Sequence, residues 1–299
     1  MNKPCPVCGV NRFSKVLNCK DHYVSGEIFE IVECEKCKMR ITKDFPAENE
    51  MGKYYETSDY ISHSDTKKGI MNYTYHQVRQ YMLRKKAAWI EQYAGLKTGR
   101  MLDVGAGTGY FADAMQRRGW QVSVVEKNDS AREFAGRNFQ LPVYDSIENF
   151  SRKNSSGAIN GLDTITLWHV LEHLEHLNES MEQFYKLLKP GGTLIIAVPN
   201  CDSYDARKYG KFWAAYDVPR HIWHFRAEQM KILARKHGFS ISGIKKMPFD
   251  AFYISMMSEK YAGKSLPFLR GILSGLGGYF SSLSDESSSS SLVYFLKKD

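Results

Sequence analysis

The sequence predicts an α/β protein, in which helices cover both faces of a mostly parallel sheet and a small cysteine-rich module precedes this domain. Three observations lead to this prediction. Apolar stretches of strand length alternate with amphipathic stretches of helix length after residue 99. A glycine-rich turn joins the first of these strands to its helix. Two Cys-x-x-Cys pairs lie within the first 37 residues. Because each helix returns the chain to the same edge of the sheet, strands that alternate with helices pair in parallel.

The composition is that of a globular protein. Of the 299 residues, 43% are hydrophobic and 25% are charged. The sequence has neither an apolar run of membrane-spanning length nor an apolar leader, so we expect no membrane association and a cytoplasmic location, where six cysteines do not form disulfides. The net charge of +8 is concentrated in the first and last thirds of the chain, which predicts either solvated surface or an anionic partner. The composition does not predict an oligomeric state.

The cysteine pairs predict a structural metal site. Cys5, Cys8, Cys34 and Cys37 supply four thiolates, which complete a tetrahedral zinc site with no open position. The apolar stretches between the pairs suit short strands, so residues 1–45 resemble a zinc ribbon. A unit of this size buries little apolar surface, and a bound metal would supply the missing stabilisation.

Residues 46–98 are predicted to be a linker and a helical cap. A polar, tyrosine-rich stretch precedes a long helix that should end at Gly95. The tyrosines around Tyr54, Tyr55 and Tyr60 are expected to act as a lid. The serine-rich segment 281–291 is low in complexity, so we expect a mobile loop there.

Residues 100–126 predict a nucleotide-binding strand–helix–strand unit. The strand MLDV leads into a turn with alternate glycines, then a helix, then a second strand that ends at Glu126. Glycines allow a ligand close to the backbone, and the amino terminus of the helix adds a positive field. A carboxylate at the end of the second strand can accept both hydrogen bonds of a ribose. The predicted ligand-binding residues of this unit are Asp103, Gly105, Ala106, Gly107, Gly109, Glu126 and Lys127.

The glycine turn has the pattern D-x-G-x-G-x-G and resembles motif I of the class I S-adenosylmethionine-dependent methyltransferases. A helix–Lys-Pro-Gly-Gly–strand passage further along is frequent in the same family. The resemblance implies S-adenosyl-L-methionine as cofactor and adenine contacts at Asp145 and Ser146. It also implies a Rossmann-like sheet of seven strands over residues 99–299, with an antiparallel seventh strand and insertions at about residues 200–226 and 248–290.

The stretch after the predicted fourth strand carries histidines. His169 to His173 fit the H-x-x-E-H pattern of a zinc peptidase helix. However, the strand should end at Trp168, which places Trp168 and His169 at the mouth of the crevice where ligands bind. The resemblance implies that both line the adenosine and sulfonium region, with simple packing as the alternative for His169. We expect Glu172 and His173 to begin a helix and to pack or hydrogen-bond rather than hold a metal.

The first insertion, about residues 200–226, contains the predicted acceptor site. Its final part resembles the D-x-P-R-H-x-x-H-F signature of a methyltransferase subgroup that often carries an N-terminal zinc ribbon. Histidine suits proton removal near neutral pH, and arginine can bind a carboxylate or phosphate through two hydrogen bonds. The alternative is that these side chains only tie the loop to the sheet. The predicted catalytic residues are His221, His224 and Arg220, and the predicted pocket walls are Trp213, Tyr216 and Trp223.

The leading functional hypothesis is a methyltransferase that acts on the oxygen or carbon of a small-molecule acceptor, and an anionic acceptor would pair with Arg220. An RNA methyltransferase that grips RNA through its ribbon is the second hypothesis, although the ribbon mixes lysine and arginine with glutamate. A non-catalytic, zinc-dependent interaction module is the third. The complete glycine motif and Glu126 argue against it.

Overall fold

A computed structural model describes residues 3–55, 70–154 and 161–299 of the chain. Tyr60, part of the lid predicted from the sequence, lies outside these residues. The strands are β1 (Phe13–Lys20), β2 (Ile28–Cys34), β3 (Arg40–Thr42), β4 (Arg100–Val104), β5 (Gln121–Val125), β6 (Val143–Tyr144), β7 (Leu162–Trp168), β8 (Leu188–Pro199), β9 (Trp223–His224), β10 (Phe239–Lys246) and β11 (Ser291–Lys298). The helices are α1 (Glu48–Met51), α2 (Ile70–Ala94), α3 (Tyr110–Gln116), α4 (Asp129–Phe139), α5 (Ile147–Asn154), α6 (Leu177–Leu187), α7 (Tyr204–Tyr209), α8 (Ala227–Lys236), α9 (Asp250–Tyr261) and α10 (Pro267–Ser284).

The larger sheet has seven strands in the order β10-β11-β8-β7-β4-β5-β6. The four pairings from β8 to β6 are parallel, and β11 runs antiparallel to both β8 and β10. The seven-stranded, mostly parallel sheet predicted from the sequence is therefore confirmed. The parallel arrangement brings the carboxyl ends of β4, β5, β6 and β7 to one edge, where the predicted ligand-binding residues follow them.

Both faces of the sheet are covered by helices. Leu102 and Ile196 point to a core shared with α6 and α8, whereas their chain neighbours Met101 and Ile195 point to a second core shared with α2 and α3. This alternation explains why the strands read as continuous apolar runs, since a strand buried on both faces has no polar side. Helix α2 ends before Gly95, as predicted, and Gly95 has a φ of +71°.

The smaller sheet is antiparallel and has the order β1-β2-β3-β9. The two strands expected between the cysteine pairs are present as β1 and β2. The fourth strand, Trp223–His224, comes from the insertion that follows β8. The cysteine-rich region and the larger domain therefore share a sheet, and the boundary predicted at residue 45 stays a prediction.

Side chains reinforce this shared sheet. The Thr42 hydroxyl donates to His221 O at 2.7 Å, and Thr42 N donates to Ile222 O at 2.9 Å. Arg226 donates to Glu33 at 2.8 Å from the other side of β9. The residues on both sides of β9 are thus bonded to the cysteine-rich region.

Arg220 forms the buried centre of the junction. Its side chain is 1% exposed and pairs with Asp217 at 2.6 Å and with Asp21 at 2.9 Å. A further donor reaches Tyr54 O at 2.8 Å. Burial opposes ionisation of Asp21, but hydrogen bonds from Arg220 and from backbone N–H groups outweigh it and lower the pKa of Asp21 to about 2. One guanidinium therefore joins two carboxylates and a backbone carbonyl that come from three separate segments.

Two local predictions are wrong. The residues after β7 do not begin a helix; they form one 3₁₀ turn, Leu171–His173, and α6 starts only at Leu177. The serine-rich segment is also not an open loop, because α10 extends to Ser284 and Ser288 to Ser291 are buried. Asn200 donates to Ser287 O and Ser289 O, at 2.6 and 2.9 Å, which holds this segment against the end of β8.

Among the described residues, no helix combines the length and the apolar character needed to cross a membrane.

The substitution Arg220→Met is expected to lower the free energy of unfolding by about 3–5 kcal/mol, because it leaves the carboxylate of Asp21 buried without its partner. Urea denaturation followed by tryptophan fluorescence measures this change. Arg207→Met is the matched control: Arg207 lies on α7 with a side chain 57% exposed and pairs with Asp202 at 3.5 Å, so a loss below about 1 kcal/mol is expected. Equal losses in the two variants would contradict a special role for the buried cluster.

Candidate functional site

The glycine turn lies at the carboxyl end of β4 and leads into α3. Gly105, Gly107 and Gly109 all have positive φ, at +67°, +55° and +82°. A Cβ on Gly105 would approach Val170 Cγ2 to 2.3 Å, so that position is closed to larger residues. A Cβ on Gly107 would meet nothing within 4 Å. The turn therefore presents open backbone at Gly107, as a ligand-binding turn requires.

Glu126 lies beside this turn, directly after β5. One carboxylate oxygen accepts from Gly107 N at 2.7 Å, and the other accepts from Asn128 N at 2.9 Å. These bonds hold the carboxylate in a fixed position at the edge of the open turn. The remaining lone pairs can accept hydrogen bonds from a vicinal diol such as ribose.

Asp103 and Lys86 carry opposite charges, and each influences the pKa of the other. Asp103 is 1% exposed and accepts from the Thr166 hydroxyl at 2.6 Å. Burial raises the pKa of Asp103 to about 7, and burial lowers the pKa of Lys86 to about 8 even though Asp103 and Asp250 attract its positive charge. The Lys86 ammonium lies 4.1 Å from the centre of the Trp168 ring. Each charge is costly to bury and would be relieved by a ligand carrying the complementary charge.

Sequence reasoning missed Lys86. It is one of three consecutive basic residues, Arg84 to Lys86, on a long amphipathic helix, where basic side chains are normally solvated. Only the packing of α2 against α3 and the sheet places this lysine beside the end of β4. The sequence held no signal that separated it from its neighbours.

His169 follows Trp168 at the end of β7 and has a φ of +59°. Its Nε2 lies 3.0 Å from an Asp250 oxygen, and its Nδ1 lies 3.4 Å from a Glu172 oxygen. Burial disfavours the charged ring, but the hydrogen bonds and charges of Asp250 and Glu172 prevail and raise the pKa of His169 to about 10. His169 is therefore an imidazolium at neutral pH, and it joins the start of α9 to the mouth of the crevice.

The remaining residues predicted to bind the cofactor lie along the same edge. Asp145 and Ser146 follow β6, and the Ser146 hydroxyl donates to Asp145 at 2.9 Å. Lys127 follows Glu126 and forms an exposed ion pair of 2.6 Å with Glu48. The structure thus brings the whole predicted set to the carboxyl ends of β4, β5, β6 and β7. Their contacts with a bound cofactor stay predictions.

Most of the residues predicted to bind the acceptor are committed to internal contacts. Arg220 uses its donors on Asp217, Asp21 and Tyr54 O, so it has no free pair of donors to offer a ligand carboxylate or phosphate. His224 is 3% exposed and lies 3.0 Å from the Thr42 hydroxyl, and burial holds its pKa well below the ordinary value. These contacts favour the alternative for Arg220 and His224, in which they tie the loop to the sheets.

The three aromatic residues predicted as pocket walls are buried as well. Trp213 donates to Asp205 at 2.8 Å, Trp223 donates to Leu174 O at 2.7 Å, and the Tyr216 hydroxyl accepts from Arg40 at 2.8 Å. Each is at most 7% exposed. These contacts place the rings in the junction between the two sheets, and their role as walls of an acceptor pocket stays a prediction.

His221 is the exception among the predicted catalytic residues. It lies against His173, with ring centroids 4.5 Å apart, and Ile222 N donates to Glu172 O at 2.8 Å. The chain thus brings His221 to the residues that directly follow β7. Its role as a base stays a prediction.

The four predicted zinc ligands lie together at one end of the smaller sheet. Cys5 Sγ and Cys37 Sγ are 3.5 Å apart, and so are Cys8 Sγ and Cys34 Sγ. A tetrahedral zinc ion with Zn–S distances of about 2.3 Å holds its sulfur atoms about 3.8 Å apart. The cluster fits such an ion, and these are free cysteines rather than disulfides.

Comparison with known proteins identifies the larger domain. A family model described as "Methyltransferase domain" matches residues 76–242, more than half of the chain. The ubiquinone biosynthesis O-methyltransferase of Thiobacillus denitrificans is 29% identical over 187 residues, which cover 58% of this chain and 77% of that protein. The enzyme of the same name from an Azoarcus strain is 26% identical over 118 residues, 38% of this chain, and the match spans only 49% of that enzyme's length.

Solved structures show the same fold. Magnesium protoporphyrin IX methyltransferase from Synechocystis, with bound S-adenosylhomocysteine, superposes with a TM-score of 0.52 at 12% identity, covering 82% of this chain and 97% of that one. A protein from Galdieria sulphuraria, titled as a sarcosine dimethylglycine methyltransferase, gives 0.51 at 16% identity, with 74% and 88% covered.

The glycine turn, the carboxylate that ends β5 and the strand order all agree with these matches, and the chain belongs to the class I S-adenosylmethionine-dependent methyltransferases.

Proposed function

We propose that this chain transfers a methyl group from S-adenosylmethionine to the oxygen of a hydroxyl group on a small-molecule acceptor. The observation that carries the proposal is the set of side chains around the open turn at Gly107, whose charges complement those of the cofactor. The choice of oxygen is supported by relatives named ubiquinone biosynthesis O-methyltransferase, at 27% and 29% identity over 171 and 187 residues.

The cofactor's two polar ends have distinct partners in this proposal. Glu126 accepts hydrogen bonds from the ribose hydroxyls, and Asp145 contacts the adenine. At the other end, the Asp103 carboxylate faces the ammonium of the methionine part, and Lys86 faces its carboxylate. A zwitterion inserted here would pair both buried charges, which explains why the protein keeps them despite the cost of burial.

S-adenosylmethionine supplies a methyl group on a cationic sulfur, which an acceptor oxygen attacks in line as the carbon–sulfur bond breaks. The chain must hold the acceptor in line with that bond and remove the hydroxyl proton. His169 is a poor candidate for proton removal, because its raised pKa keeps it protonated near neutral pH. The neighbouring His221, chosen from the sequence, stays the candidate base.

The charges of the cysteine-rich region argue against the RNA alternative. Lys15 and Lys43 pair with Glu30, and Arg40 and Arg226 pair with Glu33. Basic side chains already paired with carboxylates offer little to a phosphate backbone. We therefore propose that this region binds zinc through its four cysteines and supports the loop before β9, rather than RNA.

A methyl-transfer screen tests the proposed function. Radiolabelled S-adenosylmethionine is offered with phenols, catechols, nucleotide-linked sugars and RNA, and labelled product is expected from the hydroxylated aromatic compounds. Glu126→Ala should weaken cofactor binding about tenfold or more through the lost ribose bonds, whereas Glu133→Ala, on the exposed side of α4, should not. Transfer to RNA alone, or to none of the acceptors by protein that binds the cofactor, would overturn the proposal.

Lys86→Met is expected to raise the dissociation constant for S-adenosylmethionine about tenfold or more, the effect of losing a charge-assisted hydrogen bond. Isothermal titration calorimetry measures it, with Lys85→Met as the matched control at the neighbouring position, where the lysine lies over the Tyr81 and Trp89 rings. Methylthioadenosine lacks the carboxylate, so its affinity should not change in either variant. An equal loss for both ligands would place Lys86 away from the methionine part.

Cys34→Ser is expected to remove one zinc ion per chain and to lower the melting temperature, by about 2–4 °C for each kcal/mol lost. Zinc content by mass spectrometry and calorimetric melting measure the two effects. Cys19→Ser is the control, since Cys19 is a buried thiol of the same sheet outside the cluster and should leave the zinc content unchanged. Unaltered zinc in Cys34→Ser would rule out the assigned ligand set.

A further inference from the structure

Glu172, His173 and His221 meet just beyond the carboxyl end of β7. One ligand atom from each lies within 4.8 Å of the other two. The hydrogen bond from Ile222 N to Glu172 O fixes the two chain segments side by side. Val170, which lies between this group and β7, packs against Gly105, so the group is close to the glycine turn.

Hydrogen bonds to backbone carbonyls orient both imidazoles in the same way. His173 Nδ1 lies 3.1 Å from Arg220 O and 3.1 Å from the Tyr55 hydroxyl, and His221 Nδ1 lies 2.8 Å from Ala215 O. A carbonyl oxygen can only accept, so Nδ1–H is the donor in both contacts with carbonyls, the Tyr55 hydroxyl can accept from the same N–H of His173, and Nε2 of each ring is the nitrogen left to bind an ion. Metal-binding histidines are typically held in this way, with the second nitrogen donating to a carbonyl or carboxylate.

Glu172 supplies a buried carboxylate with one unpaired oxygen. The residue is 0% exposed, and Oε2 has no hydrogen-bond partner. Its one ion-pair contact, with His169 Nδ1 at 3.4 Å, involves Oε1 and leaves Oε2 unengaged. A buried carboxylate oxygen without a partner is costly, because nothing replaces its lost hydration.

We infer that Glu172, His173 and His221 bind one divalent transition-metal ion of the zinc class, separate from the ion proposed for the four cysteines. Two imidazoles and one carboxylate form the ligand set of catalytic zinc sites and of non-haem iron sites, both of which keep positions open. Metal–ligand distances of about 2.0–2.2 Å would draw the three donor atoms to roughly 3.4 Å from one another.

An open coordination position beside the crevice suits an oxygen ligand. If the proposed function holds, on which this role rests, the acceptor hydroxyl would take that position and release its proton to solvent water more easily, since a bound metal stabilises the oxyanion that then attacks the methyl group. His221 then acts as a metal ligand instead of the base expected from the sequence.

A cobalt titration tests the site without any need for methyl transfer. Co²⁺ is added to protein that keeps zinc on its cysteines, and one equivalent should bind with visible d–d absorption and no thiolate charge-transfer band. Glu172→Gln and His221→Gln should each weaken Co²⁺ binding at least tenfold, the scale of lost metal-site contacts. Circular dichroism and melting verify that both variants fold.

His176→Gln is the matched control. The more exposed group of Glu48, Glu175 and His176 is the rival site within the described residues, and the variant should leave Co²⁺ binding intact. Loss of binding in His176→Gln, or unchanged binding in Glu172→Gln, would overturn the inference, as would the absence of binding in the wild type.

A second measurement does not depend on variants that fold. In wild-type protein with ¹⁵N-labelled histidine, Zn²⁺ should shift the Nε2 resonances of His173 and His221. Resonances that do not shift on addition of Zn²⁺ would contradict the site. Both measurements are made without S-adenosylmethionine. A protein that binds the metal but transfers no methyl group would therefore refute the proposed function and leave the metal site standing.

Discussion

The junction between the two sheets is the constraint on which the site depends. Strand β9 pairs with β3, and the Arg220 guanidinium joins Asp217 on the same loop to Asp21 of the cysteine-rich region. A buried arginine paired on two sides fixes a loop more firmly than apolar packing does, because each donor has one correct direction. Held in this way, the loop brings His221 next to Glu172. The cysteine-rich region is thus a support for the crevice rather than an appendage.

A second theme is the burial of charge at the carboxyl edge of the sheet. Asp103 and Lys86 have pKa values displaced toward their neutral forms by burial, whereas Asp250 and Glu172 hold His169 in its charged form. Such groups destabilise or strain an apolar core, and they cluster where a protein binds charged ligands. In a methyltransferase, the ligand carries an ammonium, a carboxylate and a sulfonium, and it can compensate the charges that folding leaves unbalanced.

The second insertion, at about residues 248–290, is connected to the candidate site by one contact. Asp250, at the first position of α9, meets His169 at 3.0 Å and so connects the insertion to the end of β7. The other helix, α10, turns several large apolar side chains outward, among them Leu269, Leu273 and Phe280.

The sequence alone determined the features that rest on local patterns. The alternation of apolar strands with helices specified the seven-stranded sheet, the glycines specified the turn after β4, and the paired cysteines specified their own cluster, because each of these is encoded within a short stretch of chain. Only the tertiary structure decided which distant groups meet. It paired Arg220 with Asp21, placed Lys86 against the Trp168 ring and left Glu172 buried beside His173 and His221. Partners far apart in the chain leave no trace in local periodicity, since they are selected by packing and by the need to pair buried charge.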